Sequence, residues 1–221
     1  MVQKEKVIIF GTGDFAEVVF SYLENDGNYE VVAFTINEEY IKDDVKFDLP
    51  IVPFEQIENE FSPSKYKMFI AVAYSDHNRN RARIYQAAKN KNYILISYIH
   101  PKAIVSKDIT IGDNCFVFEA NVIQPFVKIG NNVIIWSGNH IGHHSKIGNH
   151  CFIASHVVIS GLVDIGDYCF IGVNATIKEA ISIPSSCIIG ASALIIKNPV
   201  QNGVYGGIPA KLLRVDEEKK G

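Results

Sequence analysis

The sequence has no long hydrophobic run and no excess of charge of one sign. No apolar segment approaches the roughly 18 residues that a membrane-spanning helix needs. The 221 residues include 21 Lys and Arg against 24 Asp and Glu, which gives a formal net charge of −3. This mixed balance offers no electrostatic attraction for nucleic acid or for an anionic membrane. We therefore expect neither as a partner.

Cysteine is also scarce. The 4 Cys residues are widely spaced and predict no disulfide framework. The N-terminal residues lead directly into a strand-like run and carry no signal-peptide cleavage pattern. An apolar content of 48% is typical of a packed globular protein. Together these features predict a cytoplasmic protein.

A six-residue repeat is the strongest pattern in the sequence. From Ala103 to Asn198 the chain divides into 16 consecutive blocks of six, and the third residue of every block is Ile or Val. A period of six fits neither a helix nor simple strand alternation. It is typical of a parallel β-helix, in which three short strands form one coil. We expect the third residue of each block to point into the coil.

A longer period of 18 residues supports the same fold. It relates four glycines that are each followed by Asp or Asn, namely Gly112, Gly130, Gly148 and Gly166. We expect these pairs to form corners with positive φ. The same period relates Cys151, Cys169 and Cys187, with Cys115 two coils earlier. A stack of small buried side chains explains this column better than a ladder of metal ligands.

The first part of the chain has a different organisation. Apolar strand-like runs at 7–10, 29–34, 68–74 and 94–99 alternate with helical patterns at 17–24 and 79–91. The segment at 79–91 resembles an exposed basic helix. This alternation predicts a small parallel α/β domain with a Rossmann-like arrangement. We place this domain at 1–102, the β-helix at 103–198 and a C-terminal segment at 199–221.

A glycine-rich turn follows the first predicted strand. Gly11, Gly13 and Ala16 occupy the spacing of a dinucleotide-binding turn between a strand and a helix. However, the second strand ends in Phe34-Thr35-Ile36-Asn37, without the acidic residue that binds a ribose. The pattern therefore favours a mononucleotide or sugar-nucleotide phosphate over NAD, and a purely structural turn remains an alternative.

Histidine is concentrated in one short segment. Five of the 7 His residues lie between positions 140 and 156, namely His140, His143, His144, His150 and His156. Their spacings do not match the zinc ligands of β-helix carbonic anhydrases, so we predict no metal site. Acid–base chemistry is the better interpretation of the cluster.

His143 is the candidate general base of this segment. It follows the inward-pointing Ile141 and falls near a corner, where its side chain can reach an external cleft. Gly161 lies 18 residues later, which places it one coil away, where its N–H could face a developing oxyanion. We expect His140 and His144 to support the base or to contact substrate. His150 and His156 are expected to be structural or interfacial.

A second glycine-rich turn follows the repeat, at Tyr205-Gly206-Gly207-Ile208-Pro209-Ala210-Lys211. Together with the repeat and the N-terminal domain, it resembles the hexapeptide-repeat acyltransferases. Within them, the chain resembles the sialic acid O-acetyltransferase-like and bacillosamine N-acetyltransferase-like sugar enzymes. This resemblance covers the whole chain and implies a left-handed β-helix.

The resemblance also implies functional roles. It implies a homotrimer that binds acetyl-CoA between adjacent β-helices and a nucleotide sugar on the N-terminal domain. His143 matches the general base, and Gly161 matches the glycine that donates its N–H to the thioester carbonyl. The turn containing Gly207 and Lys211 matches the coenzyme A contact, to which Gly161 also contributes. The acceptor contacts are expected at Gly11, Gly13, Asp14, Phe15 and His140.

The chain differs from the bacillosamine-type enzymes at three positions. His144 stands where an acidic residue follows the base, Thr35-Ile36 where an Asp pair ends the second strand, and Phe15 where the turn carries a His. We expect N-acetylation of a nucleotide-linked deoxyamino sugar in surface-glycan biosynthesis, by direct attack. The alternatives are O-acetylation of a sugar hydroxyl and, in other classes, a metal-binding or non-catalytic β-helix protein or a nicotinamide-dependent enzyme.

Overall fold

A computed structural model describes residues 4–217 of the chain. It divides into two compact units, one formed by residues 4–75 and 80–96 and the other by residues 76–79 and 97–217. The first unit ends six residues before position 102, because Tyr98 and Ile99 pair with Phe116 and Val117 as part of the repeat. The last four residues of the predicted 199–221 segment lie outside the described residues.

The first unit is an α/β domain built on one five-stranded sheet. Its elements, in chain order, are β1 (Glu5–Phe10), α1 (Asp14–Asp26), β2 (Tyr29–Ile36), β3 (Val45–Lys46), β4 (Leu49–Pro53), α2 (Ile57–Glu60), β5 (Lys67–Ile70) and all but the first residue of α3 (Arg79–Asn90). The strand order is β3-β4-β2-β1-β5. Every pairing is parallel except β3 with β4. The predicted parallel α/β domain is therefore present.

Three details differ from the sequence expectations. The hairpin of β3 and β4 was not predicted, because its strands are short and contain proline and charged residues. Helix α3 buries Arg81 and Tyr85 as well as three apolar side chains, so it is amphipathic rather than an exposed basic helix. The run at 94–99 is divided, since Leu95 bridges to Met68 whereas Tyr98–Ile99 forms β6 in the other unit.

The second unit is the predicted left-handed parallel β-helix. Strands β7 to β22 are two residues long and recur every six residues: Ile104–Val105, Thr110–Ile111, Phe116–Val117, Val122–Ile123, Lys128–Ile129, Ile134–Ile135, His140–Ile141, Lys146–Ile147, Phe152–Ile153, Val158–Ile159, Asp164–Ile165, Phe170–Ile171, Thr176–Ile177, Ser182–Ile183, Ile188–Ile189 and Leu194–Ile195. Every third strand pairs in parallel, which produces three sheets. Strands β23 (Gly203–Gly206) and β24 (Lys211–Val215) extend one of them.

The core of the β-helix is filled from two positions of each block. The third residue points inward as expected, and Ile141, Ile153, Ile159 and Ile171 are fully buried. The first residue also points inward, so Asn139, Ser145 and the four cysteines are buried among the apolar side chains. Because each coil contributes the same small prism of side chains, a single core runs through the repeat.

The corners have positive φ at the sixth residue of the blocks, not at the glycines. Asn132, His144 and His156 are examples, with φ of 58°, 58° and 59°. The expectation that the Gly-Asx pairs supply positive φ is therefore wrong. Glycine is needed at those positions because the next coil approaches closely, and a Cβ on Gly130 would lie 2.9 Å from the backbone of Asn149.

The cysteine column is a stack of buried free thiols. Each Sγ donates to a backbone carbonyl oxygen further along the chain, as Cys115 does to Gly130 O at 3.1 Å and Cys169 to Pro184 O at 3.2 Å. Burial raises the pKa of Cys115 and of Cys187 to about 12. A side-chain hydrogen bond with Cys151, together with burial, raises the pKa of Cys169 as well.

These buried thiols are expected not to react in the folded protein. At pH 8, Ellman's reagent should titrate no thiol in the native state and all 4 after denaturation. Above the ordinary thiol pKa of 9.0, the unfolded chain loses protons that the fold retains up to about pH 12, so stability should fall as the pH rises through this range. Fast labelling of native protein would contradict this account.

Candidate active site

The corner that follows β13 (His140–Ile141) carries the predicted base. Its chain turns through Gly142, His143 and His144, and His144 supplies the left-handed residue. Gly142 is buried and has no room for a side chain, because a Cβ there would lie 2.5 Å from Gly161 N and from Ser160 C. The close contact of successive coils at this corner therefore holds His143 beside the next coil.

His143 has an exposed ring and a fixed backbone. Its N–H donates to Oε1 of Gln124 at 2.8 Å, which ties the corner to the coil before it. Its Nδ1 lies 3.2 Å from Nδ1 of His144, and the two rings meet edge to face at 5.3 Å. The opposite side of the ring, with Nε2, faces the coil that follows.

Gly161 lies directly against this ring. A Cβ added to Gly161 would be 2.8 Å from Cε1 and 2.9 Å from Nε2 of His143. The buried Ser145 fixes the spacing, because its Oγ donates to Ser160 O at 3.0 Å and accepts from Val163 N at 3.1 Å. Within residues 4–217 the Gly161 N–H donates to no protein acceptor. The corner thus presents an imidazole nitrogen and a backbone donor side by side.

The other predicted histidines have different surroundings. His144 packs on Phe126 with ring centroids 4.7 Å apart, and His140 is a half-buried strand residue paired with Val122 and Val158. His150 stacks on Tyr168 at 4.8 Å, and its Nδ1 contacts Asn132. His156 covers Gly138 at a different corner. The last two therefore serve packing within the coils, and His140 lies on the strand that leads to the candidate corner.

The N-terminal glycine-rich turn lies at the carboxyl end of β1. Gly11 has a φ of 120° and approaches Ala71 so closely that a Cβ would lie 2.8 Å from its carbonyl oxygen. Gly13 is the exposed N-cap of α1, and Asp14 is its exposed first residue. Phe15 is only 7% exposed and belongs to the core, so its side chain offers little surface to a ligand.

A cavity of about 500 Å³ opens beside this turn in the first unit. Thr12 and Ile36 line it from the ends of β1 and β2, and Tyr40, Lys42 and Lys46 line it from the following segment. Thr35 is fully buried and donates to Val52 O at 2.7 Å, so it does not face the cavity. Ligands of open parallel sheets bind at this end of the strands.

The C-terminal turn contacts the last coil of the β-helix. Gly207 has a φ of 90°, and its carbonyl oxygen accepts from Leu194 N at 3.1 Å. Lys211 is exposed at the start of β24. Leu194 belongs to β22, which is three strands from His140 in the same sheet. With strands about 4.8 Å apart, this places the turn roughly 14 Å along the axis from the candidate base.

Three residues of the corner were missed in the sequence. Gln124 and Phe126 are one coil before Gly142 and His144, and Ser145 is the buried polar residue that follows the two histidines. The 18-residue period gives their location, but a glutamine, a phenylalanine and a serine carry no chemical signal of their own.

Among residues 4–217 no group of three His, Cys, Asp or Glu side chains could hold a metal ion. Over the same range no helix is both long and apolar enough to span a bilayer.

Comparisons with known proteins agree with this architecture. Residues 6–88 match the family described as PglD N-terminal domain, and residues 121–161 match bacterial transferase hexapeptide repeats. No curated protein sequence matches the chain.

Solved structures match over nearly the whole length. PerB from Caulobacter crescentus, solved with CoA and GDP-perosamine, is 25% identical with a TM-score of 0.83, over 94% of this chain and 96% of that chain. The acetyltransferase domain of PglB from Neisseria gonorrhoeae is 25% identical with a TM-score of 0.84, over 95% and 100%.

WeeI from Acinetobacter baumannii, at 16% identity and a TM-score of 0.71 over 95% and 100%, shares the fold. The two family matches, together with PerB and the PglB domain, confirm the predicted resemblance to hexapeptide-repeat sugar acetyltransferases, and the chain is an acyltransferase that joins a PglD-type N-terminal domain to a hexapeptide β-helix.

Proposed function

We propose that the protein transfers the acetyl group of acetyl-CoA to the amino group of a nucleotide-linked deoxyamino sugar. The observation that carries this proposal is the contact between His143 and Gly161, which joins a basic nitrogen to a backbone donor. Acyl transfer to an amine needs both, because the attacking nitrogen must lose a proton while the carbonyl oxygen gains negative charge.

The proposed reaction proceeds by direct attack. The amine nitrogen bonds to the thioester carbon, and His143 Nε2 takes a proton from that nitrogen. The oxygen of the tetrahedral intermediate carries the negative charge and accepts from Gly161 N–H. The carbon–sulfur bond then breaks, and the imidazolium returns the proton to the sulfur of coenzyme A. No acyl-enzyme is required, because among residues 4–217 no serine hydroxyl or cysteine thiol is hydrogen-bonded to His143.

Coenzyme A is proposed to lie along the β-helix from this corner to the C-terminal turn. The turn at Gly207 and the corner at His143 border one sheet, and the extended pantetheine arm suits a site of this length. Lys211 supplies an exposed positive charge for a phosphate near the far end. PerB was solved with CoA, and the PglB domain was solved with acetyl coenzyme A.

The nucleotide of the acceptor is proposed to bind in the cavity of the first unit. Lys42 and Lys46 line it and can pair with phosphates, and Tyr40, a residue that is 60% exposed, offers an aromatic surface for a base. Lys46 Nζ already pairs with Glu17 Oε1 at 2.6 Å, so Lys42 is the lysine that is more available to bind a phosphate. Gly11, Gly13 and Asp14 lie at the neighbouring turn, where the helix N-terminus favours an anion.

Replacing Lys42 by alanine is expected to raise the KM for the nucleotide sugar by about five- to tenfold, without changing kcat. A charge that contacts a phosphate equally in ground state and transition state acts on binding alone. Steady-state kinetics with varied acceptor measure this effect. Lys65→Ala, an exposed lysine of the same unit outside the cavity, is the matched control. An unchanged KM in Lys42→Ala would place the nucleotide elsewhere.

We also propose a homotrimer that acts in the cytoplasm in surface-glycan biosynthesis. Outward-facing apolar residues of the coils support self-association, since Phe126, Val158, Leu162 and Val173 are 40–52% exposed. Sedimentation equilibrium tests the trimer directly, and a monomer at micromolar concentration would contradict it.

The decisive assay measures free coenzyme A released from acetyl-CoA with a panel of amino-sugar nucleotides. The panel begins with GDP-perosamine, which is bound in the PerB structure, and extends to uridine and thymidine amino sugars with the corresponding hydroxyl sugars. Release with an amino sugar supports the proposal. Release only with hydroxyl sugars would replace it by O-acetylation.

A further inference from the structure

A second cavity, of about 310 Å³, opens in the second unit at a different corner of the β-helix. Ser186, the left-handed residue of that corner, lines it together with Asn202 from the segment after the last coil. This corner lies between the other two sheets and does not border the sheet of β13 and β22. The cavity is therefore separate from the candidate base and from the path proposed for coenzyme A on the same chain.

A left-handed turn brings two basic side chains to this cavity. Asp76, His77 and Asn78 have φ of 42°, 51° and 63°, a conformation that costs L-residues energy. The turn is held because Asn78 is fully buried and donates from Nδ2 to Cys169 O at 3.2 Å. His77 and Arg79 flank this anchored amide and line the cavity. Backbone strain at a cavity points to a function for the side chains that it positions.

The cavity contains two guanidinium groups. Arg79 lies over the ring of Tyr168, with its Cζ 5.5 Å from the ring centroid, and within residues 4–217 it forms no salt bridge. Arg214 is 64% exposed and pairs through Nε with Oδ1 of Asp216 at 2.6 Å. Two arginines at one cavity favour a phosphate ligand, because guanidinium N–H groups match the spacing of phosphate oxygens.

Asp216 gives the same cavity an acceptor for a hydroxyl group. Its Oδ2 is shielded from solvent and accepts no hydrogen bond from residues 4–217. Nε2 of His77 lies 3.6 Å from this oxygen, which is too long for a hydrogen bond. The hydrogen bond from Arg214 to Oδ1 holds the pKa of Asp216 below its ordinary value, so the group is a carboxylate at neutral pH. A ligand hydroxyl that donates to Oδ2 would satisfy it.

We propose that this cavity binds a phosphate ester that carries its phosphate and a hydroxyl on one sugar ring, as sugar phosphates and nucleotides do. Arg79 and Arg214 bind the phosphate, and Asp216 Oδ2 accepts from the hydroxyl. The volume lies at the lower end of the range of about 300–1,000 Å³ for small-molecule sites, which suits a monophosphate. The inference does not depend on the proposed acetylation reaction.

The charges of the cavity also predict which phosphates it prefers. The carboxylates of Asp216 and Glu217 line it and offset the two guanidinium charges. Inorganic phosphate therefore gains little from charge alone and makes no contact equivalent to that of the sugar hydroxyl. An ester that makes both contacts should bind more tightly than inorganic phosphate.

Isothermal titration calorimetry of the full chain tests the site with glucose 1-phosphate, uridine 5′-monophosphate and inorganic phosphate. We expect at least one ester to bind about tenfold or more tightly than inorganic phosphate. The tighter ester identifies a sugar phosphate or a nucleotide as the source. Saturating coenzyme A and Lys42→Ala should both leave this affinity unchanged. Absence of binding, equal binding of the three probes, or displacement by coenzyme A would overturn the inference, as would loss of binding in Lys42→Ala.

Variants of the lining residues locate the binding. Arg79→Gln should weaken the ester at least about tenfold, and so should Arg214→Gln, whose exposed side chain keeps the test valid if Arg79→Gln fails to fold. Asp216→Asn replaces the acceptor by an amide and should reduce the preference for the ester below about threefold. Lys107→Gln, which removes an exposed charge of the same unit outside the cavity, is the matched control and should bind normally. Unchanged affinity in both arginine variants, or an equal loss in Lys107→Gln, would overturn the assignment whether or not the protein acetylates an amino sugar.

Discussion

Replacing His143 by alanine is expected to lower kcat for amine acetylation by about 100- to 10,000-fold. The substitution removes the nitrogen that accepts the proton, but it leaves the Gly161 N–H and the groups that bind coenzyme A. The dissociation constant for coenzyme A should therefore change less than about threefold. Single-turnover release of coenzyme A and equilibrium titration together measure the two effects.

His156→Ala is the matched control for this substitution. Like His143, His156 is exposed at a corner, and it covers a glycine of an adjacent coil, since a Cβ on Gly138 would lie 2.6 Å from its Nδ1. However, its corner carries no second histidine and follows a different sheet. We expect His156→Ala to keep kcat within about twofold of the native protein. An equal loss of kcat in the two variants would show that any change to a corner lowers kcat, and that the loss in His143→Ala is not due to a missing base.

Most of the fold follows from the sequence because the repeat is strict. Each block has the same length and carries Ile or Val at its third position, 16 times in succession, so local exceptions at other positions cannot shift the register. The first unit is less predictable. Its β3–β4 hairpin is held by pairing with β2 rather than by its own pattern, and Leu95 and Tyr98 join different sheets although only two residues separate them.

The corner geometry shows where pattern reasoning is insufficient. Glycine beside Asp or Asn is typical of a left-handed turn, but here the left-handed residue is two positions later, at the sixth position of the block. Across the described blocks this residue is His, Tyr, Leu or Phe six times and Asn three times. Stacking of the coils imposes that conformation on residues that do not favour it. The glycines instead relieve contacts between coils, which a single sequence read along the chain does not reveal.

In the candidate site, the repeat period determines which residues lie close together but not which contacts their side chains make. The 18-residue spacing of His143 and Gly161 predicts their contact correctly, because stacking transfers sequence distance directly into proximity. The side chains of Gln124, Ser145 and Phe126 depend on rotamers and on hydrogen bonds between coils. The roles assigned to Gly207, Lys211 and the N-terminal turn remain predictions that kinetics must test.

The second large effect is expected from Gly161→Ala. The new Cβ would lie 2.8 Å from Cε1 and 2.9 Å from Nε2 of His143, so the two groups cannot keep their present positions. The imidazole is the exposed end of a side chain, whereas Gly161 is held by the hydrogen bonds of its coil. The ring therefore moves away from the site, and we expect kcat to fall at least about 100-fold.

We expect the fold to tolerate Gly161→Ala, whereas Gly142→Ala should destabilise it. Gly161 lies outside the left-handed region and meets only a movable ring, so the melting temperature of Gly161→Ala should stay within about 2 °C. At Gly142 a Cβ would be 2.5 Å from backbone atoms of Ser160 and Gly161, and overpacking against backbone should cost about 1–3 kcal/mol. Scanning calorimetry and kinetics of both variants separate the two roles. If Gly161→Ala stayed fully active, the ring could not be acting from its present position, and the pairing of base and oxyanion donor would have to be abandoned.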